Sequence, residues 1–212
     1  MNALRLWGNS DGTLAQEDGG GQMSADKEGR LAASLATIEV LTQENNRLRS
    51  ALGFKDKKNI NVKGAGIIYY GYEFGKEYLL IDGGINEKIQ KGDIVIDANG
   101  LLVGTVKDVE GSFAKVGVAA NTEEVFDVEL LPLGIKAFAK GLGGRAFSLE
   151  LVAQNAAVHR GDYIMMKGDQ SSFLLGEVVR VEITGTGTFK EVRAILLARP
   201  DLEKEVFVVL SK

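Results

Sequence analysis

The sequence has no cysteine, one histidine, one tryptophan and two prolines in 212 residues. Without cysteine neither a disulfide nor a thiolate metal site can form, and the compartment stays undecided. A single imidazole, with carboxylates scattered among lysines, gives no ligand set for a metal. No window approaches the roughly 18 consecutive apolar residues of a membrane span. The N-terminus shows no basic segment followed by an apolar stretch, so no signal peptide is visible. The chain as it stands is expected to be soluble. A net charge of −4 argues against bulk attraction to nucleic acid or anionic lipid.

What is abundant is glycine, 27 residues against two prolines, together with 45% hydrophobic residues. That balance suits a buried core reached by bent strands and tight turns, and the length allows one large domain or two small ones. The pattern is clearest from Leu80 to Val109. Asp82-Gly83-Gly84 follows one apolar run and reverses the chain; Gly92-Asp93 feeds Ile94-Val95-Ile96; Asn99-Gly100 then joins this run to Leu101-Leu102-Val103-Gly104-Thr105-Val106. Asn-Gly between β-branched runs is a hairpin signal, because both residues tolerate positive φ. The same wording returns later. Lys91-Gly92-Asp93-Ile94-Val95 is echoed by Arg160-Gly161-Asp162-Tyr163-Ile164, and the strand led by Gly104 by the strand led by Gly176. Two β-units built alike are therefore expected.

Along the chain, residues 1–25 read as a flexible Gly- and Ser-containing tail. Residues 26–53 carry a 3.5-residue period. Leu31, Ile38, Asn45 and Leu52 fall at one seam position and Ser34, Leu41 and Leu48 at its partner. This predicts a coiled-coil helix ended by Gly53, with a polar Asn45 favouring a parallel two-stranded register. A lone amphipathic helix lying on its own β-domain is the alternative. Residues 54–61 form a Lys-rich linker. Strands are expected at Val62–Tyr70, Glu77–Ile81, Asp93–Asp97, Leu101–Val109, Ala114–Ala119 and Val125–Leu131, making a first barrel over 62–132. A boundary is expected at Pro132-Leu133-Gly134. Strands at Ile135–Phe138, Arg145–Leu151, Asp162–Met166, Leu174–Ile183, Thr188–Ala198 and Val206–Leu210 then make a second over 133–212, the last able to complete either barrel. The fold class is mainly β, two small barrels on an α-helical stem.

Paired small β-barrels invite comparison with trypsin-like proteases, but His159 lies in a turn and no Gly-Asp-Ser-Gly nucleophile loop occurs. Lys140-Gly141-Leu142-Gly143-Gly144-Arg145 is rich enough in glycine for a phosphate loop, yet an alternating strand, not a helix, follows it. Arg160-Gly161-Asp162 is explained by its turn, without a receptor. Of Tyr69, Tyr70 and Tyr72, the last two share one strand face, so part of this cluster is expected in the core. The residues by themselves describe a scaffold or adaptor: no catalytic residue, cofactor or small-molecule ligand is expected. A periplasmic adaptor of an efflux or secretion assembly is the runner-up, although such adaptors insert two adjacent helices and one is visible.

Three stretches carry a family resemblance: the helix ending Leu41-Thr42-Gln43-Glu44-Asn45-Asn46-Arg47-Leu48-Arg49-Ser50-Ala51-Leu52-Gly53, the series Asp82-Gly83-Gly84, Gly92-Asp93 and Gly100 to Val106, and Val158 with Gly161-Asp162 and Leu175-Gly176-Glu177-Val178. In order and spacing they resemble the bacterial rod-shape-determining MreC family. The resemblance implies trypsin-like barrels without catalytic residues, on a protein anchored at the outer, periplasmic face of the cell membrane. It also implies a role in organising cell-wall elongation, with a class B penicillin-binding transpeptidase, MreD and the protein itself as partners. The chain departs from the family in showing no anchor ahead of the stem. A Thr-Ser-Gly and a Phe-Pro loop of the family are replaced by Met166-Lys167-Gly168 and Ser172-Phe173-Leu174-Leu175-Gly176.

Overall fold

The computed structural model describes residues 27, 29–41, 61–168, 171–183 and 187–211. Two compact units divide the chain, Met1–Asp56 and Lys57–Lys212. In the first, residues 29–41 are helical, with Ser34 and Thr37 hydroxyls donating to the carbonyls of Arg30 and Ala33 four residues back at 2.9 Å. Leu31, Ile38 and Leu41 are exposed on this helix. Asn45, Leu48 and Leu52 lie outside the described residues, as does most of the expected linker.

In the second unit alternation decides the architecture. Strands β1 (Val62–Glu73), β2 (Lys76–Ile81), β3 (Ile94–Ile96), β4 (Leu102–Glu110) and β5 (Phe113–Val118) are followed by β6 (Val125–Leu131), β7 (Ile135–Gly143), β8 (Ala146–Glu150), β9 (Tyr163–Lys167), β10 (Ser172–Glu182), β11 (Glu191–Leu196) and β12 (Glu205–Val209). Apart from bulges, as in β1, β4 and β10, the strands send alternate residues inward: Phe126, Val128 and Leu130 from β6, and Val206 and Val208 from β12. Two closed antiparallel barrels result, ordered β1-β12-β3-β4-β5-β2 and β10-β11-β8-β7-β6-β9. Closure leaves neither sheet an open edge.

One expectation about the barrels is overturned, and an alternative left open is decided. The boundary does not fall at Pro132: β6 pairs with β7 and β9 and so belongs to the second barrel. Pro132-Leu133-Gly134 is simply the β6–β7 hairpin turn, where Gly134 takes φ 70° and its N–H donates to the Leu130 carbonyl at 2.8 Å. The first barrel makes up its sixth strand with β12, which pairs with β1 and β3. The strand open to either barrel thus closes the first.

The duplication is visible in atomic detail. Gly92 (φ 94°) and Gly161 (φ 95°) occupy equivalent turns. The Gly92 N–H donates to the Val106 carbonyl and the Val106 N–H to the Asp93 carbonyl; Gly161, Val178 and Asp162 repeat the pair, all at 2.8–2.9 Å. Asp93 and Asp162 carboxylates each cap the amide three residues earlier, Gln90 at 2.8 Å and His159 at 2.9 Å. A Cβ on Gly104 would strike the Gly117 carbonyl, and one on Gly176 the Ile195 carbonyl. Superimposing the pairings equates β1–β5 with β7–β11, and β12 with β6. The barrels are alike except that the sixth strand enters one from the far end of the chain.

The Asn99-Gly100 hairpin departs from its expected turn. Only Gly100 has positive φ, 79°, and its N–H donates to the Asp97 carbonyl at 3.0 Å. The Asp97 carboxylate, 2% exposed with its residue, accepts from the Asn99 and Leu101 amides at 2.9 and 2.8 Å. This is a type I turn completed by a left-handed glycine, with the register shift between Val95 and Ile96 that such a turn imposes. Asp82 likewise makes no tight hairpin. Its carboxylate accepts the Gly66 amide, and Gly83-Gly84 leads into a 3₁₀ turn at Ile85–Glu87.

Candidate functional site

Where the two barrels meet, an acidic residue is buried. Glu77 on β2 is 5% exposed and shares inward parity with Leu79 and Ile81. Its backbone and the Asn121 amide exchange two hydrogen bonds: Glu77 N–H donates to Oδ1 and Nδ2 donates to the Glu77 carbonyl, both at 2.8 Å. Asn121 thereby imitates a strand from the connection between β5 and β6. The Glu77 carboxylate accepts the Tyr70 hydroxyl at 2.6 Å and, across the barrels, the Gly144 N–H at 3.2 Å. Burial, and then the Glu77 carboxylate, push the Tyr70 phenol up, so Tyr70 remains a donor through the physiological range. On the same connection Glu124 pairs with Lys107 of β4, and the Gly141 and Gly143 amides of β7 donate to the Glu124 and Ala120 carbonyls at 2.9 and 2.7 Å. Elsewhere Leu101 bridges to Leu174 of β10. These contacts fix one barrel against the other.

The Gly143-Gly144-Arg145 segment is the β7–β8 hairpin, as its alternating continuation requires. Arg145 has φ 70° and donates from Nη2 to the Leu196 carbonyl at 2.6 Å; burial lowers its guanidinium, with Arg199 adding to the effect. His159 is exposed, held by its backbone to Asp162. Among the described residues no group of three His, Cys, Asp or Glu could hold a metal.

The tyrosines take the expected faces, and Tyr70 packs against the core. A bulge between Ile67 and Tyr69 breaks the alternation. Tyr69 lies 51% exposed against Tyr78, with centroids 5.8 Å apart, and Gly71 leaves room for its ring. Tyr70 and Tyr72 do share a face, edge to face at 6.1 Å, but only Tyr70 is partly buried.

The outer surface carries the remaining candidates. The β1–β2 hairpin ends in Phe74, 95% exposed, flanked by the Glu73–Lys115 and Lys76–Glu123 ion pairs. On the second barrel a groove of about 410 Å³ runs over β6 and β7, with Val128, Ala137, Phe138 and Leu151 in its walls. Such an arrangement can present surfaces; it gathers no acid–base pair.

The family model described as rod shape-determining protein MreC, barrel core, matches residues 67–210, more than half of the chain. The chain belongs to the MreC family. No curated protein matches it. Among solved structures it is similar to MreC from Pseudomonas aeruginosa, at 25% identity and TM-score 0.66 over 70% of this chain and 99% of that one. An MreC structure from Listeria monocytogenes has the same fold, with TM-score 0.73 at 16% identity over 90% and 96% of the chains. So has the MreC of a complex with penicillin-binding protein PBP2 from Helicobacter pylori, with TM-score 0.55 at 12% identity over 72% and 99%. MreC membership places the chain among rod shape-determining proteins, and the paired barrels are the part that the family model covers. Among the described residues no helix is long and apolar enough to cross a membrane.

Of the residues singled out from the sequence, Gly92, Asp93, Gly104, Gly161, Asp162 and Gly176 come together as two copies of one turn-and-strand unit. Glu77, Asn121 and Phe74 were missed. Glu77 was legible in principle, since it alternates with Leu79 and Ile81.

Proposed function

We propose that the chain is a non-enzymatic scaffold of the bacterial cell-wall elongation machinery, maintaining rod shape by holding peptidoglycan-synthesis enzymes on its barrels. The observation that carries this reading is the MreC barrel-core match over 67–210. The principal partner is a class B penicillin-binding transpeptidase, a reading supported by the relative captured with penicillin-binding protein PBP2. The same reading takes MreD as a further partner and the outer face of the cell membrane as the place of action. Closed barrels fill their interiors with side chains, which suits surface binding over ligand capture.

The stem completes the proposal. Leu31, Ile38 and Leu41 stand exposed along residues 29–41, and Asn45, Leu48 and Leu52 continue the same period. A parallel coiled-coil dimer would cover them. Sedimentation of the chain against one starting at Lys55 tests this part; two monomers at roughly tens of micromolar contradict it. Replacing the encoded protein in its own cell by a version lacking 62–212 tests the whole. Rounded cells are the expected result, and undisturbed rods refute the scaffold reading.

A further inference from the structure

Asn99-Gly100, which shapes the β3–β4 turn, is also a chemically reactive pair. The Gly100 amide nitrogen can attack the Asn99 side-chain carbonyl carbon, because glycine has no Cβ to obstruct the approach. A bond forms from that nitrogen to Cγ, the Cγ–Nδ2 bond breaks, and the amide proton departs with the side-chain nitrogen as ammonia. Water then opens the resulting five-membered imide at either carbonyl, leaving aspartate or isoaspartate. Water is the one co-reactant, and Asn99 is exposed to it.

In the folded turn the donors of the pair are all tied to Asp97. The Gly100 N–H, whose nitrogen is the nucleophile, donates to the Asp97 carbonyl at 3.0 Å. The Asn99 N–H donates to Asp97 Oδ1 at 2.9 Å, and Asn99 Nδ2 lies 3.5 Å from Oδ2. The Leu101 N–H donates to the same Oδ1 at 2.8 Å. Asp97 is itself buried, and bonds to a carboxylate are roughly twice as strong as neutral ones. Attack therefore requires Gly100 to break its bond and shed its proton beside a carboxylate, which opposes the negative charge the nitrogen acquires.

Conversion would be felt beyond the turn. Aspartate puts a carboxylate where Nδ2 stood, against that of Asp97, and isoaspartate lengthens the backbone of a turn that sets the β3–β4 register. Leu101, two residues on, bridges to Leu174 of the second barrel. We propose that Asn99-Gly100 is a latent self-modification site gated by Asp97, and that its conversion loosens the β3–β4 hairpin and with it the contact between the barrels.

Peptide mass spectrometry and isoaspartate labelling of the full chain, aged in warm and mildly alkaline buffer, test it. Folded wild type should convert at least about tenfold more slowly than the same chain in urea. Asp97→Ala, checked as folded by hydrogen exchange, should convert at least about fivefold faster than folded wild type, with Asp97→Asn between them. If Asp97→Ala does not fold, Asp97→Asn decides alone. Asn121→Ala, which destabilises the junction away from this turn, should leave the rate unchanged. Asn99→Asp should melt below wild type and exchange faster around Leu101 and Leu174. Wild type that converts as fast folded as in urea, or in neither, overturns the proposal. So do folded Asp97 variants as slow as wild type, or an Asn121→Ala chain accelerated as much as they are. An Asn99→Asp chain with wild-type melting and exchange overturns the loosening.

Discussion

Removing residues 205–212 should unfold the first barrel and spare the second. Val206 and Val208 are fully buried; at about 1.5–3 kcal/mol per buried valine they contribute about 3–6 kcal/mol between them. The deletion also breaks the ladders to β1 and β3 and frees Asp93, whose carboxylate accepts the Ser211 amide and hydroxyl at 3.0 and 2.7 Å. Leaving that carboxylate partly unpaired costs about 1–3 kcal/mol more. The total matches the 5–15 kcal/mol that typically holds a domain together. The second barrel is built from the contiguous strands β6–β11 and needs nothing from β12. Hydrogen exchange read by mass spectrometry should therefore show β1–β5 exchanging freely and β6–β11 still protected. The equivalence of β12 with β6 adds a rescue. The Leu210 N–H donates to the Asn61 carbonyl at 2.9 Å, so the end of β12 lies beside the start of β1. A permuted chain carrying 205–211, then a short turn like Pro132-Leu133-Gly134, then 61–204, should regain protection in β1–β5. Protection that survives the deletion, or a permuted chain that cannot fold, would refute this reasoning.

Gly104→Ala and Gly176→Ala should each destabilise their own barrel by about 1–3 kcal/mol, the usual cost of overpacking, because the new methyl meets a backbone carbonyl on the paired strand; denaturant melts read this. Asn121→Ala should cost about 1–3 kcal/mol by stranding the Glu77 N–H and carbonyl in a buried junction, and calorimetry should show the lower melting temperature. Glu123 and Asp201 are held below the usual carboxylate range by Lys76 and Arg199, so their contributions are full above about pH 5 and are lost as pH falls through the lowered values. Lys115 is raised by Glu73, so its share is lost only in strong alkali; all three lie at the surface, and added salt should shrink these effects in a pH series of melts.

Strand positions were legible where strands alternate, and alternation is local: β6 occupies the expected Val125–Leu131. Membership was not, because β6 and β12 present the same inward pattern to whichever barrel offers a gap between two strands. Pairing across more than a hundred residues, as between Val62 and Val209, leaves no trace in either segment alone. The repeated unit was legible through Gly92-Asp93 and Gly161-Asp162, whose turn demands glycine. The Asn99-Gly100 turn was misread because Asp97, two residues earlier, captures the local amides and selects a different turn. The junction was hidden since Glu77 is a charge inside a strand, and its partners Asn121 and Gly144 lie 44 and 67 residues away.

The scaffold reading stands or falls on direct binding to a wall enzyme. The intact chain and the periplasmic part of a class B penicillin-binding transpeptidase from the same cell should form a complex in isothermal titration calorimetry, and the complex should persist when 1–56 is removed. Saturable binding with a micromolar or tighter constant (about −8 kcal/mol or better) is the expected result. No heat and no co-migration at roughly hundredfold higher concentrations, with both proteins folded, would contradict it.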